Sequence, residues 1–195
     1  MKKLIQTLSR TPSGFVLWLS VPVALVLRGL AMNILNASYA ASRYPVPYHV
    51  AQLSFSAERI KGWYATMIQL GTLQTYVHTQ NIDFLFIASV ALLHPLALLA
   101  VSRLFPLLSR GRSWLVGAAL ISLIAPLCDA LENLVSYVML ADPTGFAPAW
   151  AWVYSSFSAV KFGGFVFAYL AFILGLGAAL LQGAMARRKR AAATA

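Results

Sequence analysis

Acidic side chains are scarce in this chain: five Asp and Glu against 15 Lys and Arg in 195 residues, with charged residues making up only 10%. Soluble domains of this size carry about 25% charged residues. The deficit excludes a globular core inside a polar shell and leaves lipid as the surroundings. Cysteine is reduced to Cys128. A lone thiol forms no intramolecular disulfide, no two-thiol redox centre and no thiolate zinc site within one subunit, so cysteine usage does not constrain the compartment. Nucleotide loops, phosphate motifs and the His-x-x-x-His or Glu-x-x-His spacings of metal sites are missing as well. The serines near Tyr154 have no histidine in a recognisable triad. Two internal repeats with broken helices, common in transporters, are absent too. No cofactor and no metal is expected.

Apolar residues supply 60% of the chain, and the mean hydropathy is +0.74. The net charge of +10 would by itself admit nucleic acid as a partner. The basic residues gather at the ends of apolar runs, as positive-inside topology requires, and nucleic acid is set aside. Four spans are expected, at 14–35, 82–104, 115–140 and 157–181, each compatible with the roughly 20 residues that cross a bilayer. The first follows Lys2, Lys3 and Arg10 and is read as a retained span. Ser38-Tyr39-Ala40 offers a signal-cleavage pattern as the alternative.

The segment 36–81 lies outside the apolar runs. Its first part holds Arg43, Pro45 and Pro47 and is expected to be irregular, because each proline disfavours helix at the preceding residue. A helix over 56–78 is expected to follow, with Ser56 as N-cap and Glu58 in the first turn. It is read as interfacial or as a cap on the bundle, with Trp63 and Tyr64 near the headgroups. Trp150, Trp152 and Tyr154 read as a second interfacial belt. Basic residues precede span one, flank the 103–112 turn and follow span four at Arg187-Arg188-Lys189-Arg190. These place both termini in the cytoplasm and the 36–81 and 141–156 segments outside, with Arg43, Arg59 and Lys61 counting against.

The polar centre is Asp129-Ala130-Leu131-Glu132-Asn133 inside the third span. The i, i+3, i+4 spacing places Asp129, Glu132 and Asn133 on one helical face. An ionisable group in hydrocarbon costs at least ~2.5 kcal/mol, so that face turns inward and is a candidate site. At 1.5 Å per residue, Arg28 lies roughly 20 Å and Asp129 roughly 21 Å from the inner ends of their spans. Asp83 and Lys161 stand near the outer starts of theirs. All five charged residues, Arg28, Asp83, Asp129, Glu132 and Lys161, thus share the outer half of the membrane. His94 reads as a structural or kink-associated imidazole, with a proton relay or a metal site beside Asp129 and Glu132 as weaker alternatives. Tyr169, Gly163, Gly164, Gly175 and Gly177 read as packing features.

The order Asn81-Ile82-Asp83-Phe84-Leu85-Phe86, then Asp129-Ala130-Leu131-Glu132-Asn133, then Met139-Leu140 with Pro143, then Lys161 resembles a widespread group of small four-helix bacterial inner-membrane proteins with no assigned biochemical role. The likeness covers about residues 64–181. It implies a four-helix architecture and a polar cluster of Asp83, Asp129, Glu132, Asn133 and Lys161. Arg28 and His94 have no counterpart in it.

The fold expected is therefore all-α: a four-span membrane bundle with one extra helix between spans one and two. Three functions compete. The polar site can bind or carry a small molecule, a proton or a lipid headgroup. It can also serve a lipid-modifying enzyme, with Glu132 or Asp129 as acid or base and Lys161 or Arg28 stabilising negative charge. Alternatively the charges only set packing in an assembly subunit. Membrane lipids are partners in each case, with a homo-oligomer or a membrane-protein partner compatible with all three.

Overall fold

The computed structural model describes residues 2–194, with the side chains of 2, 188, 190 and 194 outside the description. Eight helices follow in order: α1 (Lys2–Leu8), α2 (Gly14–Ser42), α3 (Tyr48–Gln52), α4 (Ala57–Gln69), α5 (Leu73–Ser102), α6 (Arg110–Ile121), α7 (Ile124–Ala141) and α8 (Pro148–Thr194). No strand occurs among the described residues. Four stretches are long and apolar enough to cross a membrane: Gly14–Ser42, Leu73–Ser102, Arg110–Ala141 and Pro148–Ala193. The chain is an all-α, multi-pass membrane bundle.

The apolar surface fits that reading. On α2, Leu17, Val21, Ala24, Ala31 and Leu35 form one buried stripe at helical spacing, while Phe15, Leu19, Val23, Val26 and Leu30 point outward. Such an outward face is stable in hydrocarbon, which needs no polar covering. α5 is the central strut. It contacts α2, α6, α7 and α8, whereas α2 packs chiefly on α5. Because α2 leans on one neighbour, a cleft remains between it and α8. One apolar cluster, with Leu17, Leu98, Val101 and Leu115, fills one end of the bundle. A second, with Ile60, Tyr64, Met67, Met139 and Tyr154, fills the other. The polar residues of α5, α7 and α8 lie between the two.

The basic turn after α5 is more than a topology signal. Arg103 donates to the carbonyls of Leu8 (2.7 Å) and Pro12 (3.0 Å), and Arg112 to those of Phe105 (3.0 Å) and Ser9. The bonds to Leu8 and Ser9 satisfy carbonyls that the end of α1 leaves open. Burial, and then the neighbouring Arg112, lower the Arg103 pKa, but a guanidinium stays charged in proteins. Replacing Arg103 by Ala is expected to free α1. Amide exchange across residues 2–13 should then accelerate by about tenfold or more, the equivalent of roughly 1.4 kcal/mol. Unchanged exchange would mean that these bonds do not hold α1.

The structure departs from the sequence reading in several places. The third span is interrupted: α6 ends at Ile121 and α7 starts at Ile124. Pro126 lacks an N–H and its ring crowds the carbonyl four residues back, at Ser122, which is where the helix breaks. Ser122 Oγ instead donates to the Ala119 carbonyl at 2.8 Å. The helix expected over 56–78 stops at Gln69. Gly71 takes φ +67, and Thr72 N–H and Gly71 N–H reach back to the Met67 and Ile68 carbonyls. This double reach is a Schellman stop, which requires a left-handed residue. α5 then begins at Leu73 rather than at 82. The first helix runs on past 35 to Ser42, and within 41–50, expected to be irregular, α3 (Tyr48–Gln52) begins behind Pro47 at the N-cap. Ser56 caps α4, accepting from Arg59 N–H at 3.3 Å. Tyr64 and Tyr154, expected at the headgroups, are buried in the second cluster instead. Tyr64 falls on the Ile60–Met67 stripe that seats α4 on the bundle.

Candidate functional site

α7 presents Asp129, Glu132 and Asn133 on one buried face, and all three are at most 2% exposed. α8 brings Lys161 against them, with Nζ 3.0 Å from Asp129 Oδ1 and 2.5 Å from Glu132 Oε2. One cation thus serves two carboxylates. From α5, Asp83 Oδ2 accepts from Asn133 Nδ2 at 2.8 Å, and Asn133 Oδ1 accepts from Gln80 Nε2 at 3.2 Å. Five of the six expected residues therefore gather across three helices, in two bonded groups side by side on α7. One is an ion triad between α7 and α8, the other an amide relay between α5 and α7.

Arg28 does not neutralise a carboxylate. It donates to Tyr169 Oη at 3.4 Å and lies over the Phe86 ring at 5.6 Å. No described carboxylate comes within ion-pair distance of it. Phe86 is three residues beyond Asp83 on α5 and shares its helical face. His94 is buried against the edges of Phe165 and Tyr169, and neither ring nitrogen has a partner. Among the described residues no three His, Cys, Asp or Glu side chains gather as metal ligands, so a site of His94, Asp129 and Glu132 is not formed.

The cleft left by α2 becomes a cavity of about 490 Å³, within the 300–1,000 Å³ or so common for small-molecule sites. Asp83, Asp129 and Lys161 reach its wall from α5, α7 and α8, and Arg28 reaches it from α2. Phe86, Phe162 and Phe165 with Met32 and Leu35 give it an apolar body. Glu132 is not on the wall, and its Oε1 has no hydrogen-bond partner. It meets the cavity only through Lys161.

Pro47, Tyr48, His49 and Gln52 roof the cavity. The roof is held by stacking: Tyr39 lies on Tyr48 with centroids 3.6 Å apart and on Tyr44 at 5.5 Å. Tyr39 Oη also donates to the Val46 carbonyl at 2.6 Å. On the far side, Phe55 N–H donates to Ser155 Oγ at 3.0 Å. Tyr48 Oη is buried without a partner. Burial, and after it the Asp83 carboxylate, hold its phenol well above the usual pKa. Burial likewise pushes up Tyr44 and Tyr64. At the roof, Tyr48 therefore offers a neutral hydroxyl.

Gln80 and the roof were not among the expected site residues. Gln80 is three residues before Asp83 and shares its face, but it preceded the expected start of the span. For the roof, the only local cue was the cluster Tyr39, Tyr44 and Tyr48. Of the glycines read as packing features, Gly164 and Gly175 face close neighbours, whereas Gly163 and Gly177 have open space beside them. Tyr169 holds Arg28. Comparison with family models, curated proteins and solved structures returns no match.

Proposed function

We propose that this chain is a multi-pass protein of a bacterial inner membrane that binds an amphipathic small molecule beside the Asp129–Lys161 cluster. The observation that carries the reading is the cavity itself: an aromatic and aliphatic body of about 490 Å³ with Asp83, Asp129, Lys161 and Arg28 at its wall. Ligand sites combine a mostly apolar lining with a few placed polar groups. The cleft between α2 and α8 gives such a molecule a route from the bilayer.

Both termini lie on the cytoplasmic side in this proposal. Arg103 and Arg112 tie the α5–α6 turn to the end of α1, and Arg187 lies beside Leu104. The three basic groups of the sequence thus share one end of the bundle, as cytoplasmic loops do. The resemblance to small four-helix inner-membrane proteins belongs to the same proposal. Lipid-modifying chemistry has less support, because Glu132 is off the cavity wall and Lys161 is occupied by two carboxylates. A purely structural cluster accounts for the triad but not for Asp83 on the wall of a cavity.

Native mass spectrometry of nanodisc-embedded protein after incubation with a bacterial lipid extract tests the reading. Met32 lines the cavity, and Met32→Trp should fill it. The wild type is expected to retain a bound small molecule that a folded Met32→Trp variant loses. Equal retention by both, or no specific adduct on the wild type, would reject the proposal.

A further inference from the structure

The charge inventory of the cavity goes further and assigns the chemical class of its occupant. The inference rests on reading the cavity as a binding site. The wall carries two carboxylates, Asp83 and Asp129, and two cations, Arg28 and Lys161, and Lys161 is already shared by Asp129 and the off-wall Glu132. Asp83 is 5% exposed and lines the cavity. Its hydrogen bond comes from the neutral amide of Asn133, and no described cation is within ion-pair distance of it. A carboxylate has about four acceptor positions, so Asp83 retains capacity for a charged donor. Buried carboxylates are stabilised by pairing with a cation and opposed by a second anion.

Lys161 Nζ lies 5.0 Å from the Phe162 centroid, and Arg28 lies over Phe86. Those two aromatic faces are therefore taken by the chain's own cations and contribute apolar surface to an occupant. The unpartnered Tyr48 Oη at the roof can accept an N–H. Arg28 is taken up by Phe86 and Tyr169.

We propose that the cavity takes an amphipathic amine, its ammonium between Asp83 and Asp129 and its apolar part along Phe86, Phe162 and Met32.

Three photoreactive probes with the same dodecyl chain test this, each carrying a diazirine on the chain and differing only in the head: amine, alcohol or carboxylate. Each is irradiated at neutral pH with the wild type in nanodiscs of zwitterionic lipid, and labelled peptides are mapped. The amine is expected to label peptides containing Met32, Phe86 or Phe162 at least about tenfold more than the other two, with unlabelled dodecylamine competing. Asp83→Asn should remove that preference in protein that remains folded. The comparison of heads on the wild type decides the matter if the variant does not fold. Equal labelling by all three, or preference for the carboxylate or the alcohol, would overturn the amine assignment and leave the cavity a binding site. No cavity labelling by any probe would overturn both.

Discussion

Replacing Lys161 by Met is expected to destabilise the bundle by about 3–5 kcal/mol, the usual consequence of removing one partner from a buried ion pair. Lys161 is 3% exposed, and Asp129 and Glu132 are 2% and 0% exposed. Without the ammonium, two carboxylates on adjacent turns of α7 face each other with no counter-charge. At about 2–4 °C per kcal/mol for a chain of this size, the melting temperature in detergent should fall by roughly 6–20 °C.

The triad makes the combined variants informative. Lys161→Met with Asp129→Leu removes one ion pair but leaves Glu132 buried and unpaired, so it should remain clearly less stable than wild type. Adding Glu132→Met removes the last charge and should recover most of the loss, since apolar replacement of a complete buried ionic group is often neutral or better. The three variants, compared by thermal unfolding with a monodispersity check, measure the coupling directly. Equal stability of the double and triple variants would show that Glu132 does not belong to the ionic group.

Two adjacent glycines on α8 should give opposite results. A Cβ built on Gly164 would lie 2.8 Å from Ala125 Cβ and 3.3 Å from Ala125 Cα. Real Cβ atoms do not come that close, and Ala125 has no flexible end to move aside. α7 and α8 must separate, at a cost of about 1–3 kcal/mol for overpacking. The separation falls where it matters, because Gly164 is three residues past Lys161 and Ala125 is four before Asp129. Gly164→Ala should therefore lengthen the Lys161–Asp129 contact as well as lower stability, and Gly164→Leu should do both more severely. Gly163 has nothing within 4 Å of its built Cβ. Gly163→Ala should be neutral or stabilising by up to about 1 kcal/mol, because Ala suits a helix interior better than Gly. Parallel thermal unfolding of the pair checks this. Similar shifts for Gly163→Ala and Gly164→Ala would show that the α7–α8 approach does not depend on Gly164.

The sequence alone reads much of this molecule. Long apolar runs with few acids require a lipid environment, and the chain has four such runs. Helical spacing puts Asp129, Glu132 and Asn133 on one face, and the cost of charge in hydrocarbon turns that face inward. The depth comparison anticipates that Asp83 and Lys161 lie at the same level. Ser56 marks the start of α4 because its hydroxyl can serve an open N–H. Each of these follows from neighbours within a turn or two of helix, where local geometry decides.

What only the tertiary structure decides concerns neighbours across helices. Periodicity assigns a face but not its partner, so it cannot tell that Lys161 serves two carboxylates while Arg28 serves none. It cannot separate Gly164 from Gly163, because a close approach depends on Ala125 of another helix. It placed Tyr64 and Tyr154 at headgroups, where aromatics with a polar tip are common, although packing of α4 on the bundle buries both. Gln80 joined the site once the stop at Gly71 allowed α5 to begin early. The cavity belongs to the same class. It exists because α2 rests on α5 and stands off from α8, and a gap between helices is a property of their arrangement rather than of any stretch of sequence.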